Sequence, residues 1–133
     1  METDAPAARS PFTFDEALAE HLGALRARDV ARFAATLGSD VLVVDGRAGI
    51  TRGTENVLRS HAEWFASPDD WTFEYTVLMT RAFAGAALAL VDVTYRNTPR
   101  SEPSRFVLSL VFERDASGAW TFVYDQNTPH PAD

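Results

Sequence analysis

The sequence predicts an α+β domain, a curved β-sheet wrapped around three N-terminal helices with a conical hollow at its open end. Three observations carry this reading. Up to Phe65 the apolar residues recur mainly at helical spacing, and from Trp71 onward the period changes to two. Between the helical stretches lies one strand, Val41 to Val44, apolar without alternation, as suits a strand covered on both faces. Helices followed by a run of strands is the α+β order, and a twisted sheet of this length curls.

The helices come first. Thr13 with Glu16 three positions later is a capping box, and Leu18, Leu22 and Leu25 carry the first helix to about Arg28. Asp29 caps a second helix with Val30, Phe33, Ala34 and Leu37 on one face, and Gly38 stops it. Ser39 to Gly46 is the strand that ends in Asp45. Gly46, Gly49 and Gly53 punctuate a loop with Ile50 as an anchor. Thr54 caps the third helix, which carries Val57, Leu58, His61, Trp64 and Phe65, and Pro68 ends it.

The strands follow. Trp71, Phe73, Tyr75, Val77 and Met79 share one face of the first, before a turn at Ala84-Gly85. Leu88 to Asn97, Phe106 to Phe112, and Trp120 to Asn127 are the next three. Several are apolar on both faces, so the outer face is expected to pack against a second copy of the chain.

The chain has 133 residues, a length for one domain, read as residues 12–128. Residues 1–11, polar and rich in Pro and Ala, are expected to be a disordered tail, and 129–133 a second one. With no apolar signal core and no apolar run long enough for a bilayer, the expected location is the cytoplasm, away from membranes. The absence of cysteine removes disulfides, thiol nucleophiles and thiolate metal sites. All twelve basic residues are arginine, so no lysine is available for Schiff-base chemistry. A net charge of -7 with no basic stripe argues against nucleic acid as a partner.

Several pieces in order resemble the nuclear transport factor 2-like superfamily, in particular its SnoaL-like and ketosteroid-isomerase-like members. They are Ala24 to Asp29 between the helices, Ser39 to Gly46, Arg52-Gly53-Thr54, Gly118-Ala119-Trp120, and Asp125 to Pro129. The resemblance spans about residues 12–128. It implies a cystatin-like fold with a curved mixed sheet, a conical pocket, and a homodimer formed through the sheet. Members include isomerases, cyclases, dehydratases, epoxide hydrolases and scaffolding proteins, so it implies no single function. By position, Asp45 falls where ketosteroid isomerases place the aspartate that moves the proton. His21 falls where they place a tyrosine that donates to the oxyanion. Leu108-Ser109-Leu110 stands where their second aspartate belongs, which argues against a steroid isomerase with the usual oxyanion hole.

The candidate catalytic residues are therefore Asp45 and His21. A partly desolvated carboxylate at a strand end has a raised pKa and can act as a general base, whereas Asp-Gly is equally an ordinary turn pair. His21 either donates a hydrogen bond in the pocket or bonds a backbone carbonyl within the structure. His61, Trp64, Tyr75, Tyr95, Tyr124 and Asn127 are the candidates for lining the hollow around an apolar or aromatic small molecule, with Asp92, Arg96 and Asp125 as further polar groups. The spacing of His21, Asp45 and His61 matches no local ligand motif, and neither metal nor cofactor is expected. The rival reading is a non-catalytic binding or assembly module.

Overall fold

The computed structural model describes residues 12–131. Both tail readings, 1–11 and the end of 129–133, fall wholly or partly outside these residues. The first two helices are α1 (Phe14–Ala27) and α2 (Val30–Ala35), the first closed by the expected capping box and the second by Asp29 accepting from the Arg32 N–H. Arg28 turns the chain between them in the left-handed region, at φ 56°. The sheet follows as β1 (Leu37–Val44), β2 (Ile50–Arg52), β3 (Thr72–Phe83), β4 (Ala86–Arg96), β5 (Ser104–Arg114) and β6 (Trp120–Pro129), with α3 (Thr54–Phe65) between β2 and β3.

The six strands form one curved, unclosed sheet in the order β2-β1-β6-β5-β4-β3. Only β1 and β6 are parallel; the other pairs are antiparallel. The sheet is therefore mixed, and its last strand lies at its centre beside the first. The core lies between the inner sheet face and the helices. Ala87, Ala89, Val91 and Val93 of β4, with Leu108, Leu110 and Phe112 of β5, meet Leu22 and Leu25 of α1, Phe33 of α2 and Val57 of α3.

Four local readings are corrected. Thr54 does not cap α3: Gly53 stands at the N-cap with no side-chain bond. The Thr54 hydroxyl instead donates to the Gly38 carbonyl and accepts from the Val41 N–H. It thereby satisfies β1 where the ladder to β6 is interrupted and Asp40 takes φ 56°. Gly38 is already in the strand; a Cβ there would come within 2.7 Å of Thr121 Oγ1, so glycine is what lets β1 approach β6. Ile50 is 65% exposed and starts β2, so it anchors nothing. In β3 an extra residue between Val77 and Met79 reverses the alternation, so Met79 leaves the face it was assigned.

Candidate functional site

A cavity of about 450 Å³ opens between the helices and the inner sheet face. Leu25, Ser60, His61 and Trp64 approach from α1 and α3; Val43, Phe73, Phe106, Leu108, Asp125 and Asn127 come from the sheet; Asp45 and Thr51 complete it. Its size and mainly apolar wall are those of a small-molecule site.

The carboxylate inside this cavity is Asp125. Its position follows from one irregularity in β6. Between the pairs Phe112↔Phe122 and Val111↔Tyr124 the register slips, so β6 has one residue more than β5. Phe122 faces inward; past the bulge Tyr124 faces outward and Asp125 inward. Its neighbours across the strands are Val43 and Leu110. Asp125 is only 7% exposed and has no hydrogen-bond or ion-pair partner among the described residues. Burial alone pushes its carboxyl up to about 7, because nothing replaces the water that the ionised form has lost. Asn127, two residues on along the same face, also lines the cavity, and its Oδ1 is buried without a partner.

Asp45 lies at the edge of the cavity and is exposed. One of its carboxylate oxygens accepts from the Arg47 and Gly49 N–H groups, at 2.8 and 2.9 Å, closing the turn between β1 and β2. The turn is so tight that a Cβ on Gly49 would come within 2.6 Å of Asp45 Oδ2. These donors favour the charged form, so the pKa is lowered, the reverse of the rise expected from the sequence.

His21 is fully buried and does not line the cavity. Its ring stacks on Phe122 at 4.1 Å and packs against Phe33 and Phe112. The Thr36 hydroxyl donates to the Phe33 carbonyl, so it accepts from His21 Nδ1–H at 2.9 Å. Burial first, then the nearby His61, lowers the His21 pKa to about 3 and keeps the ring neutral. The structure thus separates His21 from Asp45 rather than joining them.

Of the predicted lining residues, His61, Trp64 and Asn127 do line the cavity. His61 Nδ1 donates to the Val57 carbonyl, its ring stacks on Phe33 at 4.4 Å, and burial lowers its pKa. Trp64 is held by stacking on Trp71 at 4.5 Å and by donating to Tyr95 Oη. Tyr95 therefore supports the wall from behind. Tyr75 packs against Phe73, outside the lining, beneath the Arg26 guanidinium. Tyr124 is on the outer sheet face, where its hydroxyl bonds Gln126. Asp92, a further polar candidate, binds Arg105 and His130 away from the cavity. No cluster of three or more metal-ligating side chains occurs among the described residues. No helix there is long and apolar enough to cross a membrane.

A mixed, unclosed sheet curved around N-terminal helices is the fold of the cystatin-like, nuclear transport factor 2-like class. The family model for the SnoaL-like domain matches residues 15–128, and the chain belongs to that family. No curated protein matches the sequence. Among solved structures, the chain is similar to a proposed calcium/calmodulin-dependent protein kinase type II association domain from Thiobacillus denitrificans. The identity is 18%, the match covers 92% of this chain and 100% of that one, and the TM-score is 0.79. It is similar to a proposed dehydratase of the nuclear transport factor 2-like family from Streptomyces avermitilis (18% identity, 87% of this chain, 92% of that one, TM-score 0.73). A ketosteroid isomerase-like protein from Erwinia carotovora is similar as well (14% identity, 89% and 94%, TM-score 0.73). At these identities the likeness speaks for the fold alone.

Proposed function

We propose that this chain binds an apolar or aromatic small molecule in the conical cavity and moves a proton on it, as an isomerase, cyclase or dehydratase does. The observation that carries the reading is Asp125, a buried carboxyl without a partner among the described residues, whose pKa is pushed up to about 7 inside a mainly apolar cavity. Such a group is half ionised near neutrality and can take and return a proton. In the simplest step the Asp125 carboxylate removes a proton from carbon next to a carbonyl, and the bond pair moves into the enolate. The same carboxyl then returns the proton to a different carbon. The role first given to Asp45 passes to Asp125, and His21 becomes a core residue behind the cavity wall. The names of the dehydratase and isomerase-like neighbours are in keeping with this chemistry.

The test is hydrogen–deuterium exchange at the carbon beside the carbonyl of 2-tetralone, followed by NMR. The wild-type protein should accelerate exchange over buffer, with a rate that rises through about pH 7. Asp125→Asn should lower it by about 100-fold or more, and Asp45→Asn should leave it in place. Exchange unaffected by Asp125→Asn rules out the assignment.

We further propose a homodimer formed through the outer sheet face. Its support is that face's apolar content, Leu88 and Leu90 of β4 opposite Val111 and Ser109 of β5, and the exposed Leu78 and Met79 of the edge strand. A single-chain mass in sedimentation at micromolar concentration contradicts it. The same face and the association-domain neighbour favour a second reading, a non-catalytic assembly module. That reading requires dimerisation without any exchange activity.

A further inference from the structure

The charge of the ligand can be read from what lines the cavity. The chain has no lysine, and no arginine among the described residues reaches the lining. The two ionisable acids there are Asp125 inside and Asp45 at the edge, the latter held ionised by two backbone N–H groups. Burial lowers the His61 pKa, which favours the neutral ring, and with Nδ1 donating to Val57 the other ring nitrogen of that form is an acceptor. Ser60 Oγ donates to the Val57 carbonyl and Trp64 Nε1 to Tyr95 Oη, which leaves the Asn127 amide and the Thr51 hydroxyl as the uncharged donors of the lining. The lining therefore holds two carboxyls and no lysine or arginine, and is negative in sign. Its walls include the rings of Trp64, Phe73 and Phe106. Aromatic faces attract cations, most strongly where water is excluded.

We infer that the cavity is built for an organic amine bound as its ammonium ion, with the charge on the Asp125 carboxylate and the apolar body among Trp64, Phe73 and Phe106. The inference rests on the proposal above only in taking this cavity as the ligand site; it does not require turnover. An ammonium supplies the missing counter-charge and several donors from one atom. A carboxylate or phosphate ligand meets no cation in the lining and is repelled by both aspartates. A neutral hydroxyl offers one donor and leaves an ionised Asp125 uncompensated.

Three indole compounds of nearly equal size, differing in charge, give the test: tryptamine, tryptophol and indole-3-acetate. Binding is measured by calorimetry on the full chain at about pH 8, where Asp125 is mostly ionised. Tryptamine should bind about tenfold or more tightly than tryptophol, and indole-3-acetate more weakly than either. Tryptamine affinity should fall as pH drops from about 8 to about 5 and Asp125 takes up its proton. Asp125→Asn should erase the preference for tryptamine over tryptophol. Trp64→Leu, which keeps the carboxylate, should reduce the preference without erasing it. Equal or weaker binding of tryptamine relative to tryptophol overturns the inference, as does a preference that survives Asp125→Asn. Failure of all three compounds to bind at millimolar concentration overturns it too. The exchange assay is read separately. Exchange lost in Asp125→Asn without an amine preference sinks this inference alone; an amine preference without exchange sinks only the catalytic reading.

Discussion

Replacing Asp125 by Asn should make the protein more stable above neutrality and change the shape of its pH profile. Folding raises the Asp125 pKa from 3.8 to about 7, with burial as the cause. The folded state therefore holds the proton more tightly than the unfolded chain. Below about pH 4 both states are protonated and Asp125 makes no difference. Between there and about pH 7 the unfolded chain ionises while the folded one does not, so stability falls as pH rises. Above about pH 7 the penalty is complete. That rise corresponds to about 4 kcal/mol. An asparagine has the same shape and does not ionise. Its unpaired amide still costs on the order of 1–3 kcal/mol, but by the same amount at every pH. The difference in Tm between variant and wild type should thus climb in favour of the variant from about pH 4 to about pH 8. Its total change is on the order of 10 °C for a chain of this length. Tryptophan fluorescence during thermal unfolding reports it, and the other titrating groups cancel in the difference. Parallel profiles for the two proteins would show that Asp125 is solvated or paired, and would refute the argument.

Further predictions concern the turn and the core. Asp45→Ala removes the acceptor of two backbone bonds from a carboxylate whose pKa folding lowers. Its stabilisation is present above about pH 4 and declines as pH falls below that, so the variant's deficit should be largest at neutral pH and shrink in acid. An equal deficit at neutral and acid pH in urea unfolding contradicts this. Phe33→Ala empties the space between the His21 and His61 rings and should cost about 3–5 kcal/mol by urea midpoint; a loss below about 1 kcal/mol would mean that the stack bears little of the core. The His21 ring resonances should not titrate in NMR between about pH 5 and pH 8, because burial has moved its pKa to about 3. A midpoint near the usual histidine value would place the ring in water.

The architecture was legible because it rests on periodicities that survive tertiary packing. The capping box at Thr13, the Asp29 cap and the change of period at Trp71 each depend on a few neighbouring residues. The site was legible only in part because it rests on parity. One extra residue in β6 reverses which side chains face the hollow, and nothing in Phe122-Val123-Tyr124-Asp125 announces the slip. An aromatic-rich strand read at strict period two sends Tyr124 inward with Phe122; the bulge sends Asp125 there instead. The same effect misplaced Met79 in β3. Thr54 was missed for a related reason. A threonine before a helix suggests a cap, but the unpaired groups of β1 lay close enough to claim its hydroxyl. His61 and Trp64 were found because a helix keeps its phase: residues three apart on α3 share a face whatever the sheet does.

Asp45 and Asp125 show how one side-chain type is given two roles by position. Asp45 follows the end of β1 and Asp125 lies on β6, the parallel neighbour of β1, with Val43 opposite Asp125. Both touch the same cavity. Two N–H groups of its own turn hold Asp45 ionised, and water surrounds it. Asp125 has apolar neighbours on both sides and no donor among the described residues, so it keeps its proton until about neutrality. Two carboxyls whose surroundings drive their pKa values apart are what the proposed acid–base chemistry requires. Here the pair also marks a direction. The outer acid is a fixed negative charge at the entrance, and the inner one is the group that can change state. A molecule entering past Asp45 meets its first adjustable charge at Asp125. The proposed proton transfer and the proposed recognition of a cationic ligand therefore both depend on that residue. The pH series with Asp125→Asn separates them, because exchange and amine binding are distinct readouts of one titration.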